Sequence, residues 1–183
     1  MRAPMIAVVA ALALTLSACS EDDPPPPDPT SAATAPANPD ATLPPMPEVA
    51  SEFTPNGAST FVRYYVGVLS YAGQTGDVDE LTRLSDSNCG GCSDYIRFFR
   101  ETYAGGGWIR GRTWVNGDTQ LWFDSSQDGE TRATTSVRIA AGTLKPDSES
   151  NPTNAPASAH KVTFGLTFDG NWTMTQLVSG DPS

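Results

Sequence analysis

Residues 108–124 read WIRGRTWVNGDTQLWFD. Here the spacing of large side chains drops to a period of two, with Trp108, Arg110, Arg112 and Trp114 on one face and Ile109, Thr113 and Val115 on the other, which predicts strand rather than helix. Asn116-Gly117-Asp118 then predicts a short hairpin turn between a strand over 108–115 and one over 119–124. Downstream the same period predicts strands over 131–141, 161–168 and 172–178, with Asp169-Gly170-Asn171 as a second tight turn and 125–130 as a longer one. Residues 143–158, rich in Ser, Pro, Asn and Asp, predict a mobile loop between the third and fourth strands.

Upstream the period is helical. Ala58, Phe61, Val62, Tyr65, Leu69 and Ala72 fall at the i, i+3, i+4 spacing of one face, and Tyr64, Val68 and Tyr71 widen the stripe, so a first helix opening at Asn56-Gly57 is buried over much of its circumference. Gly73 and Gly76 are its stop signals. Asp77 with Glu80 three residues on has the form of a capping box before a short helix over 78–84. A third helix, over about 93–103, shares Tyr95 or Ile96, Phe99 and Tyr103 along a face and ends at Gly105-Gly106-Gly107. Helices first and an antiparallel meander afterwards predict an α+β domain, three helices packed on one face of a curved sheet.

The chain of 183 residues opens differently. Arg2, the apolar run 5–16 and small Ser17 and Ala18 have the order of an export signal, and the run is too short to span a bilayer. Leu16-Ser17-Ala18-Cys19 resembles the lipobox of bacterial lipoproteins, which implies diacylglycerol on the Cys19 thiol and cleavage before it. Two acyl chains are what make such an attachment stable. Residues 20–52 are Pro, Ala, Asp, Thr and Ser with seven acids and no base, a composition that cannot bury enough apolar surface to order itself. The expected organisation is a signal over 1–18, a lipidated Cys19 with a disordered semi-stiff tether to residue 52, and a folded domain over 53–183. The expected location is the extracytoplasmic face of the cell membrane, with the chain a monomer.

Net charge of -10, from 21 acids against 11 bases, argues against an electrostatically driven nucleic-acid partner. Besides Cys19 there is one cysteine pair, Cys89-Gly90-Gly91-Cys92. In an oxidising compartment it reads as a structural disulfide. The alternative is a thiol redox pair at a helix N-terminus, although no strand precedes it as in a thioredoxin-like unit. Zinc would need two more ligands, and His160 is the one histidine, read as a surface residue at the entry to the fourth strand. No cofactor or metal is implied.

Gly57-Ala58, the run Phe61 to Tyr65, Gly76-Asp77, Leu84-Ser85, Cys89 to Cys92 and Gly106-Gly107-Trp108 resemble a family of actinobacterial lipoproteins of unknown function, over about positions 53–180. The order of elements is similar to the nuclear-transport-factor-like (SnoaL-like) cone, in which a curved sheet wraps a long helix and leaves a pocket at its wide end. That resemblance implies a fold and no activity, since such folds host isomerases, dehydratases and non-catalytic binding domains alike. Their catalytic forms commonly place a histidine and a carboxylate in the pocket, and no such pair can be named here. No catalytic residue is carried over.

Trp108, Trp114, Trp122 and Trp172 with Phe123, Phe164 and Phe168 are many rings for one domain. They form a core, or else a pocket with Arg110 and Arg112 near its mouth, suited to an apolar or glycan-like ligand with an anionic group. Cation–π contact of Arg110 and Arg112 with Trp108 and Trp114 needs no ligand at all. The expectation is a non-catalytic binding or interaction domain of the cell envelope, with Trp108, Arg110, Arg112 and Trp114 as contacts to a small ligand or an envelope protein. The alternatives are an enzyme of the isomerase or dehydratase type, or a thiol–disulfide redox protein using Cys89 and Cys92.

Overall fold

A computed structural model of the chain describes residues 38–126 and 130–182. The signal, Cys19, residues 20–37 of the tether and the centre of the 125–130 turn lie outside the described residues. Three helices come first: α1 (Pro55–Thr75), α2 (Asp79–Arg83) and α3 (Gly90–Ala104). Seven strands follow: β1 (Trp108–Arg110), β2 (Trp114–Trp122), β3 (Thr131–Ile139), β4 (Gly142–Lys145), β5 (Thr153–Ala155), β6 (Ser158–Phe168) and β7 (Trp172–Pro182). They make a four-stranded antiparallel sheet in the order β2-β3-β6-β7 and a small sheet in the order β1-β4-β5. The expected α+β division holds. Among the described residues no helix is long and apolar enough to cross a membrane.

Helix α1 starts where local chemistry tells it to. Thr54 is extended and its side chain accepts from Gly57 N at 2.9 Å, and Pro55 sits in the first turn where a missing N–H costs nothing. Phe61, Val62, Tyr65, Val66, Val68, Leu69 and Ala72 are all buried, so α1 is enclosed on most sides, as its wide stripe implies. Gly76, in the left-handed region at φ 78°, ends it, and Gly73 does not. Gly73 lies within the helix, and it is glycine because the Trp114 ring lies against its backbone, where a Cβ would come within 2.6 Å of the indole.

Residues 38–52, expected as the end of the tether, are packed on the domain instead. The chain runs along α1, with Asn38 N–H donating to Gln74 O, and forms a 3-10 turn at Glu48–Ser51 that buries Ala50. Gly57 is glycine because the Glu52 and Val49 carbonyls cross the first turn of α1 where a Cβ would stand. Composition suggested no anchor in this strap. It is held by the Met46 side chain on the core, by Phe53 just after it, and by the Glu52 backbone carbonyl, which accepts from Trp172 Nε1 at 2.9 Å.

Four further expectations are corrected. Asp77 and Glu80 form no capping box: α2 begins after Val78 without a side-chain cap, and Asp77 Oδ1 accepts from Asp79 N in a local turn. Helix α3 begins three residues earlier than expected, with Cys89 as its N-cap. The strand expected over 108–115 is broken at Gly111 (φ 73°), so Trp108 and Trp114 belong to different sheets. Asn116-Gly117-Asp118 is not a hairpin turn but an irregularity inside β2, where the register against β3 shifts between Asn116 and Thr119. Thr135 Oγ1, bonded to the Gly117 and Asp118 carbonyls at 3.1 and 3.0 Å, holds that bulge in the sheet.

The expected loop over 143–158 contains the β4–β5 hairpin, paired through Thr143↔Asn154 and Leu144↔Thr153. β1 pairs with β4 in turn, Ile109 opposite Leu144. The Asp169-Gly170-Asn171 turn is as expected, with Phe168 opposite Trp172 and Gly170 at φ 70°.

Candidate functional site

Where the small sheet meets α3 and the ends of β2, β3 and β6, side chains line a cleft of about 400 Å³. α3 contributes Tyr95 and Phe98, one turn apart; β1 contributes Ile109 and β4 Leu144; Trp114 forms a wall and Arg112 stands beside it. The volume lies in the range of small-molecule sites.

Three of the side chains lining this apolar space carry hydrogen-bond donors. The Trp114 ring is only 6% exposed and packs edge-on against Phe99 at 5.7 Å. Its Nε1–H is buried without a hydrogen-bond partner. Such an orphan costs about 1–3 kcal/mol, and an indole cannot answer it by rotating a hydroxyl or changing role, since it is donor only. The Tyr95 hydroxyl is the second donor. Burial raises its pKa, while the Trp114 N–H, which lies toward it outside hydrogen-bond geometry, and the Arg112 charge pull it down. Arg112 is the third: it spends Nη1 on the Pro156 carbonyl at 3.3 Å and makes no ion pair among the described residues. A wider open groove next to the cleft, sharing Ile139 and Ser158 with it, is lined by Arg138 and small apolar residues. In a chain of net charge -10, the charged side chains lining the two spaces are both arginines.

The four residues expected as contacts are divided by the break at Gly111. Arg112 and Trp114 line the cleft, with the guanidinium 6.0 Å from the indole centroid. Trp108 and Arg110 do not line it; they stack on one another at 4.2 Å on β1. Of the remaining rings, Phe164 and Trp172 are core, whereas Trp122 is 64% exposed near the far end of β2. His160 is half-buried in β6, opposite Val137.

Cys89 and Cys92 are bonded as a disulfide with their Cα atoms 5.2 Å apart, both buried in the first turn of α3. The glycines between them differ in purpose. At Gly91 a Cβ would collide with the Leu177 carbonyl of β7, so this glycine lets the helix end lie directly on the sheet; Gly90 faces open space. Asp94 makes an exposed pair with Arg97 at 2.7 Å, and Asp77 accepts from Tyr71 Oη at 2.9 Å.

The carboxylate with the richest surroundings lies elsewhere, on α2. Glu80 accepts from Tyr64 Oη at 2.6 Å and from Arg83 Nε and Nη2 at 2.7 and 2.6 Å. The bonds from Arg83 hold its pKa below the ordinary 4.5, and burial pushes Tyr64 up to about 12 with help from Glu80. Three of its roughly four lone-pair sites are taken by Tyr64 of α1 and Arg83 of α2, so it is suited to joining the two helices. Among the described residues no three His, Cys, Asp or Glu side chains cluster to hold a metal ion.

Sequence reading missed Tyr95 and Phe98 as site residues, and Leu144 and Pro156 entirely. The first two carry a visible i, i+3 spacing, which equally fits core. The last two sit on a hairpin with no apolar periodicity.

Comparison with known proteins adds a family and little else. A model described as a family of unknown function, DUF6318, matches residues 29–177, and the chain belongs to that family. No curated protein matches the sequence. Among solved structures the chain is similar to a calcium/calmodulin dependent protein kinase II association domain from Xanthomonas campestris, with a TM-score of 0.44 and 9% sequence identity over 75% of this chain and 94% of that one.

Proposed function

We propose that this chain is an exported lipoprotein, acylated on Cys19 and held at the extracytoplasmic face of the cell membrane, whose folded part is a non-catalytic binding or interaction domain of the envelope. The observation that carries the binding reading is the donor set of the cleft. Arg112 and the Tyr95 hydroxyl can hold an acceptor, and neither takes a proton near neutral pH, because tyrosine there is an acid with a raised pKa and arginine is always charged. Thiol exchange needs an accessible sulfur, and both sulfurs of the Cys89–Cys92 pair belong to buried residues.

The anchoring reading rests on Leu16 to Cys19 and the acids that follow them. Residues 38–52 are laid on the domain, so they do not belong to the spacer that the composition suggests.

Two measurements test this. Cys19→Ala should move the protein from the membrane fraction into the soluble one; a variant that stays with membranes removes the anchor. Cross-linking in the native envelope, with mass spectrometry of co-purifying small molecules, should recover a partner or ligand whose contacts include Arg112. If neither is recovered and Arg112→Ala changes nothing but stability, the domain is not a binding module through this face.

A further inference from the structure

The cleft and the open groove beside it lie at the end of the domain where the strap begins. We propose that this end, through Phe98, Val115, Arg112 and Arg138, docks on the surface of an anionic lipid bilayer, the one that holds the acylated Cys19. This rests on the anchoring reading above and adds to it a contact made by the folded domain itself.

The first observation is exposed carbon. Phe98 on the cleft and Val115 on the groove are 42% and 50% exposed, and the two spaces share Ile139 and Ser158. Apolar surface of this kind, rimmed by charge, marks a contact with a protein or a membrane. The second observation is the sign of that charge. In a chain of net charge -10, the cleft and groove carry Arg112 and Arg138, and neither arginine is in an ion pair among the described residues. What covers this end is therefore negative.

The third observation selects a bilayer over an acidic protein. Asn38, the first described residue on the covalent path from Cys19, is pinned to the last turn of α1: its N–H donates to Gln74 O at 3.1 Å and its Nδ2 to Gln74 Oε1 at 3.2 Å. Gln74 in turn lines a depression with Thr113, Trp114 and Val115, which also line the cleft or the groove. The path to the acyl chains starts at the rim of the arginine-bearing end. Trp122, the most exposed ring, stands near the opposite end of β2, and Arg132 across the ladder from it has its charge met by Glu130 at 3.0 Å.

Magnitudes make the docking weak. Each arginine near an anionic surface contributes about fivefold in partitioning, an attraction that fades within a Debye length of ~10 Å at 0.1 M salt. Asp40 and Asp77, close in sequence to Asn38 and Gln74, work against it. The contact forms because an acyl anchor keeps the domain at high effective concentration over the bilayer, and without that anchor fractionation still releases the chain.

The test removes the anchor and keeps the rest, using the full chain with Cys19→Ala and vesicles of phosphatidylcholine with or without phosphatidylglycerol. Co-sedimentation at ~0.01 M salt should show binding to the mixed vesicles and little to phosphatidylcholine alone, and ~0.5 M salt should abolish it. Adding Arg112→Gln with Arg138→Gln should lower partitioning by about 25-fold. Arg63→Gln, the same loss of charge on an exposed residue in the first half of α1, should leave it nearly unchanged. Val115→Ser, on an exposed position of β2, should weaken binding by a smaller factor and serves if the double arginine variant folds poorly. The proposal is overturned if the mixed vesicles do not bind the chain, if binding survives high salt, or if Arg63→Gln costs as much as the arginine pair. Failure here leaves the anchor standing, because fractionation of Cys19→Ala from cells tests that reading by itself.

Discussion

Trp172 and Trp114 are nearly equally buried, at 2% and 6% exposure, and both pack among aromatic rings, yet they sit in regions of opposite character. Trp172 closes one end of the domain. Phe53, Phe123 and Phe168 surround it with centroids 5.0 to 6.4 Å away, and its N–H is taken by the Glu52 carbonyl of the N-terminal strap. Trp114 stands at the other end, ring against Gly73 and Phe99, with its N–H unclaimed beside an open cleft. Burial and ring packing do not separate a core tryptophan from a site tryptophan. Hydrogen bonding does: the Trp172 N–H has a carbonyl acceptor in good geometry, whereas the Trp114 N–H lies toward the Tyr95 hydroxyl outside hydrogen-bond geometry.

The largest test of this contrast acts on the closed end. Gly57→Ala would drive a Cβ into the Glu52 carbonyl and should cost about 3 kcal/mol, close to 10 °C in Tm, and free the strap to proteolysis. Gly90→Ala, where a Cβ meets nothing, should leave Tm unchanged or raised. Equal effects of the two would mean that the strap is not a structural part of the domain.

A middle-sized effect compares the two rings directly. Trp172→Phe removes a paired N–H and strands the Glu52 carbonyl, whereas Trp114→Phe removes an unpaired one, so chemical denaturation should show the former costlier by roughly 1–2 kcal/mol. The reverse order would break the comparison.

The smallest effect probes a polar group that is fully paired. Glu80 has a folded pKa below its ordinary value, so its contribution is present above about 4.5 and lost as pH falls through the folded pKa. Glu80→Gln should cost about 1 kcal/mol at pH 7, and the gap to the parent should close in acid. A gap that persists to pH 2 would show that shape and neutral hydrogen bonds, not charge, hold α1 to α2 there.

The sequence alone determined the helix–sheet division, the three helices in order, the burial of α1 on most sides, the Asp169-Gly170-Asn171 turn and the cysteine pair. These are decided within a few residues: a period of 3.6 or 2, a glycine at positive φ, two thiols three positions apart. Only the tertiary structure decided whether Asn116-Gly117-Asp118 turned the chain or bulged within a strand, because Thr135 from the neighbouring strand holds the bulge's carbonyls. It alone drew the strap onto the domain, through a bond between residues 120 positions apart. It also split Trp108 from Trp114 and brought Tyr95, Arg112 and Trp114 together from α3, the turn after β1, and β2. A site of this kind leaves no local pattern, since each of its members satisfies the periodicity of its own element and acquires its partners only when distant elements pack.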